Sequence, residues 1–450
     1  MGKLFGTDGV RGVANAHPMS AEMALAIGRA TAAALAKNSA ERARIVVGRD
    51  TRVSGNMLES ALAAGICSMG ADALLAGCIP TPGVAFLARS LGCAAGIVIS
   101  ASHNPFEDNG IKVFNADGCK LNDETEARIE QLALSNELDG VRPEPARIGR
   151  VIRAEDAAAE YVEFCKQSFP AEQTLAGLKI VLDCANGAAS SVAPKVFSGL
   201  GADIAVIHAA PDGININKDC GSQHTRDLSA KVVELGADLG LAFDGDADRL
   251  IAVDENGVEI TGDHVIAICA KSLMDRGLLP KNTVVITPMS NLGLRLAFDK
   301  MGIRWLDAGI GDRNVLDLMQ KEGAAIGGEQ SGHVIFLDKH STGDGIISAL
   351  QLLAVVRASG KKLSELAEIF TTAPQTLVNL IVREKPPLES LPEVAAAIAS
   401  AEASLAGRGR VLVRYSGTQP MCRVMVEAES QSACDSIAAG IVELVKKSIG

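Results

Sequence analysis

Aromatic residues make up only 3% of this 450-residue chain, with one tryptophan and two tyrosines. A surface that binds single-stranded nucleic acid stacks bases on aromatic platforms, and this chain has few to offer. Positive charge is also in deficit. Lys+Arg total 43 against 54 Asp+Glu, a formal net charge of −11, which argues against nucleic acid or an anionic membrane as main partner. Long apolar runs are missing too: uncharged stretches such as Ala73–Ala88 carry Pro80 and Pro82 and stay short of a spanning helix. Met1–Gly12 is charged and glycine-rich without an apolar h-region, so no signal peptide is expected. Ten cysteines are present, but the nearest two in sequence are Cys67 and Cys78, so C-x-x-C and C-x-x-H spacings are lacking. They read as small buried residues in a reducing compartment, and no zinc site is expected. These absences leave a soluble, cytoplasmic, multidomain protein as the expectation.

What is present is an ordinary globular balance, 48% hydrophobic against 22% charged, over a length that suits about two to four domains. Three segments follow one plan of β-rich run, polar or glycine loop, helix, glycine and strand. They start at Arg44–Val47, Lys179–Leu182 and Thr283–Thr287. Each leads to a Gly-x-x-x-Gly step and a polar loop: Ser100-Ala-Ser-His-Asn-Pro105, Asp244-Gly-Asp-Ala-Asp-Arg249, and Gly328-Glu-Gln-Ser-Gly-His333. Short apolar runs alternating with helices predict sheet-centred α/β units, whose ligands sit at strand carboxyl ends. The last eighty or so residues alternate differently and predict a smaller α+β unit with strands at Thr376–Arg383, Arg410–Tyr415 and Arg423–Glu427. The expected domains are 1–152, 153–255, 256–371 and 372–450.

Asp244, Asp246 and Asp248 put three carboxylates within five residues. They repel unless solvated or neutralised by a hard cation. An EF-hand is excluded, because Arg249 stands where its loop needs glycine and the flanks read as strands. Open coordination positions beside Arg249 favour Mg²⁺ that also holds a phosphate, with a solvated acidic turn as the alternative. If the segment stays extended, alternate spacing aims all three side chains at one centre. Ser102 beside His103 is a weak signal alone, and no G-x-S-x-G elbow supports acyl hydrolysis. A serine facing a metal could instead carry a phosphoryl group. Lys112, in Asn109-Gly-Ile-Lys112, could accept a proton if desolvated. Glu329, Ser331 and His333 on a tight turn match the hydroxyls or amine of a sugar, or form a plain hydrogen-bonded turn. Arg414, Ser416, Gly417, Thr418 and Arg423 hold the ingredients of a phosphate nest, or of a hairpin with incidental arginines. Gly6, Gly9 and Gly12 bracket Arg11, a candidate phosphate contact.

Taken in order, Gly6-Thr-Asp-Gly-Val-Arg-Gly12, the Ser102 loop with Lys112, the Asp244 loop, the Glu329 loop and the Arg414–Arg423 loop resemble the α-D-phosphohexomutases over the whole chain. Gln330 and Gly311-Asp-Arg313 resemble that family's amino-sugar branch. The resemblance implies three similar α/β domains with mixed sheets plus the smaller carboxyl-terminal domain, heart-shaped around a central cleft. Ser102 would be a phosphoserine and, with Asp244, Asp246 and Asp248, a ligand of Mg²⁺. His103, Lys112 and Arg11 would assist proton transfer and stabilise charge, and Glu329, Ser331 and His333 would read the sugar. Arg249, Arg414, Ser416, Gly417, Thr418 and Arg423 would hold phosphate. The implied reaction converts glucosamine 6-phosphate to glucosamine 1-phosphate through a glucosamine 1,6-bisphosphate that also serves as primer, feeding UDP-N-acetylglucosamine synthesis. Glucose or mannose phosphates handled by the same machinery are the alternative. The sequence leaves open homodimer formation and the source of the Ser102 phosphate. The phosphate loop departs from the family pattern at Gln419, usually glutamate, and at Tyr415, commonly proline.

Overall fold

A computed structural model of the chain describes residues 4–6, 8–36, 42–416 and 420–450. Gly417, Thr418 and Gln419 of the expected phosphate loop lie outside the described residues. The first sheet contains β1 (Val10–Val13), β2 (Arg44–Arg49), β3 (Asp72–Cys78), β4 (Ala95–Ile99), β5 (Asp108–Asn115) and β6 (Val151–Arg153), in the order β1-β5-β4-β2-β3-β6. The second holds β7 (Lys179–Asp183), β8 (Asp203–Ile207), β9 (Leu239–Phe243), β10 (Leu250–Asp254) and β11 (Glu259–Ile260), ordered β11-β10-β9-β7-β8. In the third, β12 (Thr283–Ile286), β13 (Arg304–Asp307), β14 (Ile326–Gly328) and β15 (Val334–Phe336) run β13-β12-β14-β15. Strand β6 straddles the expected boundary at 152/153 and pairs with β3, so the first sheet reaches Arg153.

One unit recurs three times. A parallel triplet, β3-β2-β4, β8-β7-β9 or β13-β12-β14, is followed by an antiparallel turn-back, β5, β10 or β15. The central runs Ala-Gly-Ile-Val-Ile of β4 and Leu-Gly-Leu-Ala-Phe of β9 are buried at every position, as strands covered on both faces require. The third copy lacks such a run in sequence because β14 is only three residues long.

Helices cover the sheets and end on readable signals. Ser20 caps Ala21–Leu35 by accepting the Met23 N–H, and Asp344 caps Gly345–Ser359 by accepting those of Ile346 and Ile347. The fourth domain joins β16 (Gln375–Ile381), β17 (Arg410–Tyr415) and β18 (Met421–Glu427) in an antiparallel sheet ordered β16-β18-β17, against helices Pro392–Leu405 and Gln431–Ile449.

The core is shared unevenly. A single apolar cluster runs from Val46 and Val98 through Phe197 and Phe243 to Leu350 and Phe370, crossing the first three domains. The fourth keeps its own cluster around Val424, Val426 and Ile441. It meets the third through polar contacts: Glu427 accepts from Asn291 at 3.0 Å, and Arg410 donates to the carbonyls of Pro288 and Ser290. Among the described residues no helix is long and apolar enough to cross a membrane. All ten cysteines are free thiols.

Candidate active site

The three turn-backs carry the three polar loops. Ser102 and His103 lie between β4 and β5, Asp244–Arg249 between β9 and β10, and Glu329–His333 between β14 and β15. Lys112 is on β5 opposite Val98, and Arg11 is on β1 opposite Gly110. Each of these candidate residues therefore sits on or beside a turn whose strands are locked by sheet register. The loops of different domains also bond to one another. Leu250 N–H donates to the Gly332 carbonyl (3.0 Å) and Gly345 N–H to that of Ala247 (3.0 Å), both between the second and third domains.

At the centre, Ser102 donates its hydroxyl to Asp244 Oδ2 at 2.6 Å, while His103 Nδ1 stands 3.3 Å from Ser102 Oγ. Ser102 is a buried side chain at φ +52, the left-handed region that L-residues seldom occupy. Asp244, Asp246 and Asp248 are all buried and their ligand atoms lie within 4.8 Å of one another. The segment is not extended as expected. It turns, with Ala247 at φ +57 and its N–H bonded to the Asp244 carbonyl at 3.0 Å. The turn, rather than strand alternation, brings the carboxylates together.

The charges are unevenly matched. Lys112 Nζ lies 3.1 Å from Asp246 and 3.5 Å from both Asp248 and Asp8. Burial would lower the Lys112 pKa, but Asp246, Asp8 and Asp248 outweigh it and hold the group as an ammonium. For Asp246, burial is overcome by Lys112 and by the Thr81 hydroxyl, which donates at 2.6 Å, so its carboxyl falls below the usual range. For Asp244, Arg249 and the Ser102 hydroxyl act the same way but do not compensate. Burial, then the charges of Asp248 and Asp246, push its pKa well above normal. Asp246 Oδ1 and Asp248 Oδ1 are buried and make no hydrogen bond. Orphaned carboxylate oxygens converging beside a penalised third carboxylate fit a hard divalent cation. Burial, then Arg249 and Arg11, push His103 down to about 3, which leaves its imidazole neutral near pH 7. Arg249 lies 3.8 Å from Asp248.

The Ser331 hydroxyl donates to Glu329 at 3.2 Å, and Gly311 N–H reaches Glu329 at 3.3 Å. His333 is 3% exposed, and neither ring nitrogen has a hydrogen-bond partner. In the fourth domain Arg414 and Arg423 are cross-strand partners. Like charges directly opposite are destabilising. Burial and Arg423 lower the Arg414 pKa, while Glu329 of the third domain's loop acts the other way. The Nε atoms of both arginines are buried without hydrogen bonds. Ser416 is buried beside them, its carbonyl taken by Lys385 Nζ at 2.7 Å.

Several neighbours escaped the reading of the sequence. Asp8 joins Arg11, Lys112 and Lys120, and Lys120 continues to Asp312 at 2.5 Å, an ion chain from the first domain to the third. Arg52 and Asn217 hold the Ser102 loop from behind. Asp50 and Arg52 lie at the carboxyl end of β2, where open α/β sheets place ligands, so that rule could have found them. Asn217 carried no such signal.

A close approach makes one residue here intolerant of change. A Cβ on Gly245 would stand 2.6 Å from the Ser102 carbonyl and 2.8 Å from Asn217 Nδ2. Gly245→Ala is expected to push the serine and metal loops apart, costing about 1–3 kcal/mol of stability. Thermal melting and steady-state kinetics together check it; a variant of wild-type activity would refute the close approach.

Sequence comparison agrees with this arrangement. Profiles described as phosphoglucomutase/phosphomannomutase alpha/beta/alpha domains I, II and III and C-terminal domain match residues 2–139, 159–257, 261–373 and 377–444. A phosphoglucosamine mutase of Syntrophus aciditrophicus is 54% identical over 450 residues, all of both chains. One from Syntrophobacter fumaroxidans is 55% identical over the same span, again all of both chains. The crystal structure of a phosphoglucomutase/phosphomannomutase family protein from Burkholderia thailandensis superposes with TM-score 0.81 at 26% identity, covering 99% of this chain and 97% of that one. With four domains matched in order and over half its residues shared with such relatives, the chain belongs to the phosphoglucomutase/phosphomannomutase family, the α-D-phosphohexomutases.

Proposed function

We propose that the chain interconverts glucosamine 6-phosphate and glucosamine 1-phosphate. The observation that carries this reading is the Ser102 hydroxyl, held at φ +52 over three converging carboxylates, 2.6 Å from Asp244. Phosphorylated Ser102 gives its phosphoryl group to the free sugar hydroxyl. The Oγ–P bond breaks, an O–P bond to the sugar forms, and the hydroxyl proton passes to a nearby base. His103 suits that task, being neutral and beside Oγ. Lys112, an ammonium as it stands, and Arg11 offset charge on the transferring group. Lys112 becomes a proton acceptor only where the aspartates around it are otherwise neutralised.

A Mg²⁺ held by Asp244, Asp246, Asp248 and the Ser102 oxygen supplies charge neutralisation when bound. Glu329, Ser331 and His333 take the sugar, and Arg414, Arg423, Ser416, Gly417 and Thr418 clamp the phosphate that is not reacting, while Arg249 also contacts phosphate. The product of the first transfer is a bound glucosamine 1,6-bisphosphate. It turns end over end, and its other phosphate returns to Ser102 by the reverse step. The fourth domain, with its own core, is the natural mobile lid. The amino-sugar assignment rests on relatives at 54–55% identity that bear that name. A cytoplasmic place among the reactions that consume glycosyl phosphates belongs to the same reading.

The test is ³¹P NMR with Mg²⁺ and a trace of bisphosphate primer, offering glucosamine, glucose and mannose 6-phosphates separately. A glycosyl phosphate signal growing fastest from the amino sugar is expected. Faster conversion of glucose or mannose phosphate would overturn the substrate assignment while leaving the phosphoserine chemistry in place.

A further inference from the structure

Ser102 holds a left-handed backbone, φ +52, that an L side chain adopts only under constraint from its surroundings. Two donors from different domains supply the constraint. Arg52, almost fully buried, gives Nη2 to the carbonyls of Ser102 (3.0 Å) and Asn104 (2.8 Å), and Nη1 to those of Asp108 (3.0 Å) and Pro105. Asp50 balances its charge at 2.9 Å. Asn217, from the second domain, donates Nδ2 to the same two carbonyls, 2.9 Å to Ser102 and 3.0 Å to Asn104. Four contacts thus draw two carbonyl oxygens to one side of the loop, and Ser102 Oγ is left facing Asp244.

Asn217 rides on a strap, residues 208–221, that the second domain lays across the first. Val53 N–H donates to Gly213 at 2.9 Å, fastening the strap to the segment that carries Arg52. Asn217 N–H bonds to Ala185 at 2.9 Å, and Ala210 N–H to Asn186 Oδ1 at 3.2 Å. The strap's two ends meet at Asp183, which takes His208 Nδ1 and the Gly221 N–H, each at 3.0 Å. Asp183, His208 and Cys220 bring ligand-type atoms within 4.8 Å of each other, but hydrogen bonds already engage this carboxylate, so the cluster serves as an anchor. Asn217 is itself at φ +58, a conformation asparagine tolerates better than most side chains. It is 9% exposed.

We propose that Asn217 is a positioning residue for phosphoryl transfer: through the Ser102 and Asn104 carbonyls, the second domain's strap sets the orientation of the first domain's nucleophile. This rests on the phosphoserine reading above. A nucleophile misplaced by about 1 Å loses on the order of 100-fold in rate, while the sugar and phosphate contacts, on other domains, stay as they were.

Two variants test it. Asn217→Asp keeps size and left-handed tolerance but turns an acceptor toward two carbonyls. Asn217→Gly keeps the backbone free and deletes the donor, and stands in if the aspartate variant fails to fold. Both are expected to lower kcat by about 10–100-fold with KM changed less than about threefold. The rate of labelling Ser102 from ³²P-labelled hexose 1,6-bisphosphate should fall by the same factor. Wild-type kcat and labelling in either folded variant would overturn the proposal. So would a loss confined to melting temperature, or to KM, which a merely structural strap would give. A wild-type enzyme that turns over without ever labelling Ser102 would sink the phosphoserine reading instead.

Discussion

Ser102→Ala is expected to remove bound phosphate and lower turnover on the order of 10⁴-fold or more, as loss of a covalent nucleophile does elsewhere. The fold should survive. The hydroxyl makes one short bond, to Asp244 at 2.6 Å, whereas the loop's shape is held by the Arg52 and Asn217 bonds to backbone carbonyls. Alanine keeps those carbonyls. Its melting temperature should therefore stay within a few degrees of wild type while the phosphoprotein mass disappears. Intact-mass spectrometry and ³¹P kinetics read both quantities. Full activity in the alanine variant would end the phosphoserine assignment.

Asp244→Asn is expected to separate catalysis from stability in the opposite sense. Asp244 is the carboxylate that burial and its two acidic neighbours penalise most, with its pKa pushed well above the usual range. A carboxyl with a raised folded-state pKa contributes stability at low pH that is lost as pH rises through that value. An amide cannot ionise, so the metal-free variant should melt no lower than metal-free wild type at neutral pH. What it loses is cation affinity. The rise in melting temperature that Mg²⁺ gives wild type should shrink or vanish, and kcat should fall on the order of 10²–10³-fold. Titrating Mg²⁺ against melting temperature and rate checks this. An unchanged Mg²⁺ response in both would remove Asp244 from the ligand set.

Much of the architecture could be read from local pattern. Apolar runs such as Leu239–Phe243, bounded by glycines and followed by an acidic turn, announce a covered strand and its loop without reference to anything distant. The same three-part plan, met three times, predicted three related sheets, and the alternation at Thr376–Arg383 predicted a different fourth unit. The candidate residues stood out for a related reason. A hairpin loop is contiguous, so Asp244, Asp246 and Asp248, or Glu329 and Ser331, are already neighbours in the chain.

The rest depended on contacts between distant segments, which no window of sequence contains. Asn217 and Ser102 are 115 positions apart and meet at one carbonyl. Lys120 and Asp312 pair across two domains, and Asp183 at the end of β7 meets both His208 and Cys220 at the two ends of the strap. The sign of each residue's role was also tertiary. Lys112 looked like a candidate base, yet the aspartates folded around it keep its proton on. Alternate spacing predicts an extended chain that focuses the Asp244, Asp246 and Asp248 carboxylates, but a left-handed turn at Ala247 does so instead. Local sequence thus determined which chemical groups exist and on which hairpins they ride. Tertiary packing decided which of them share a buried, low-dielectric space, and that space sets their charges and their reach.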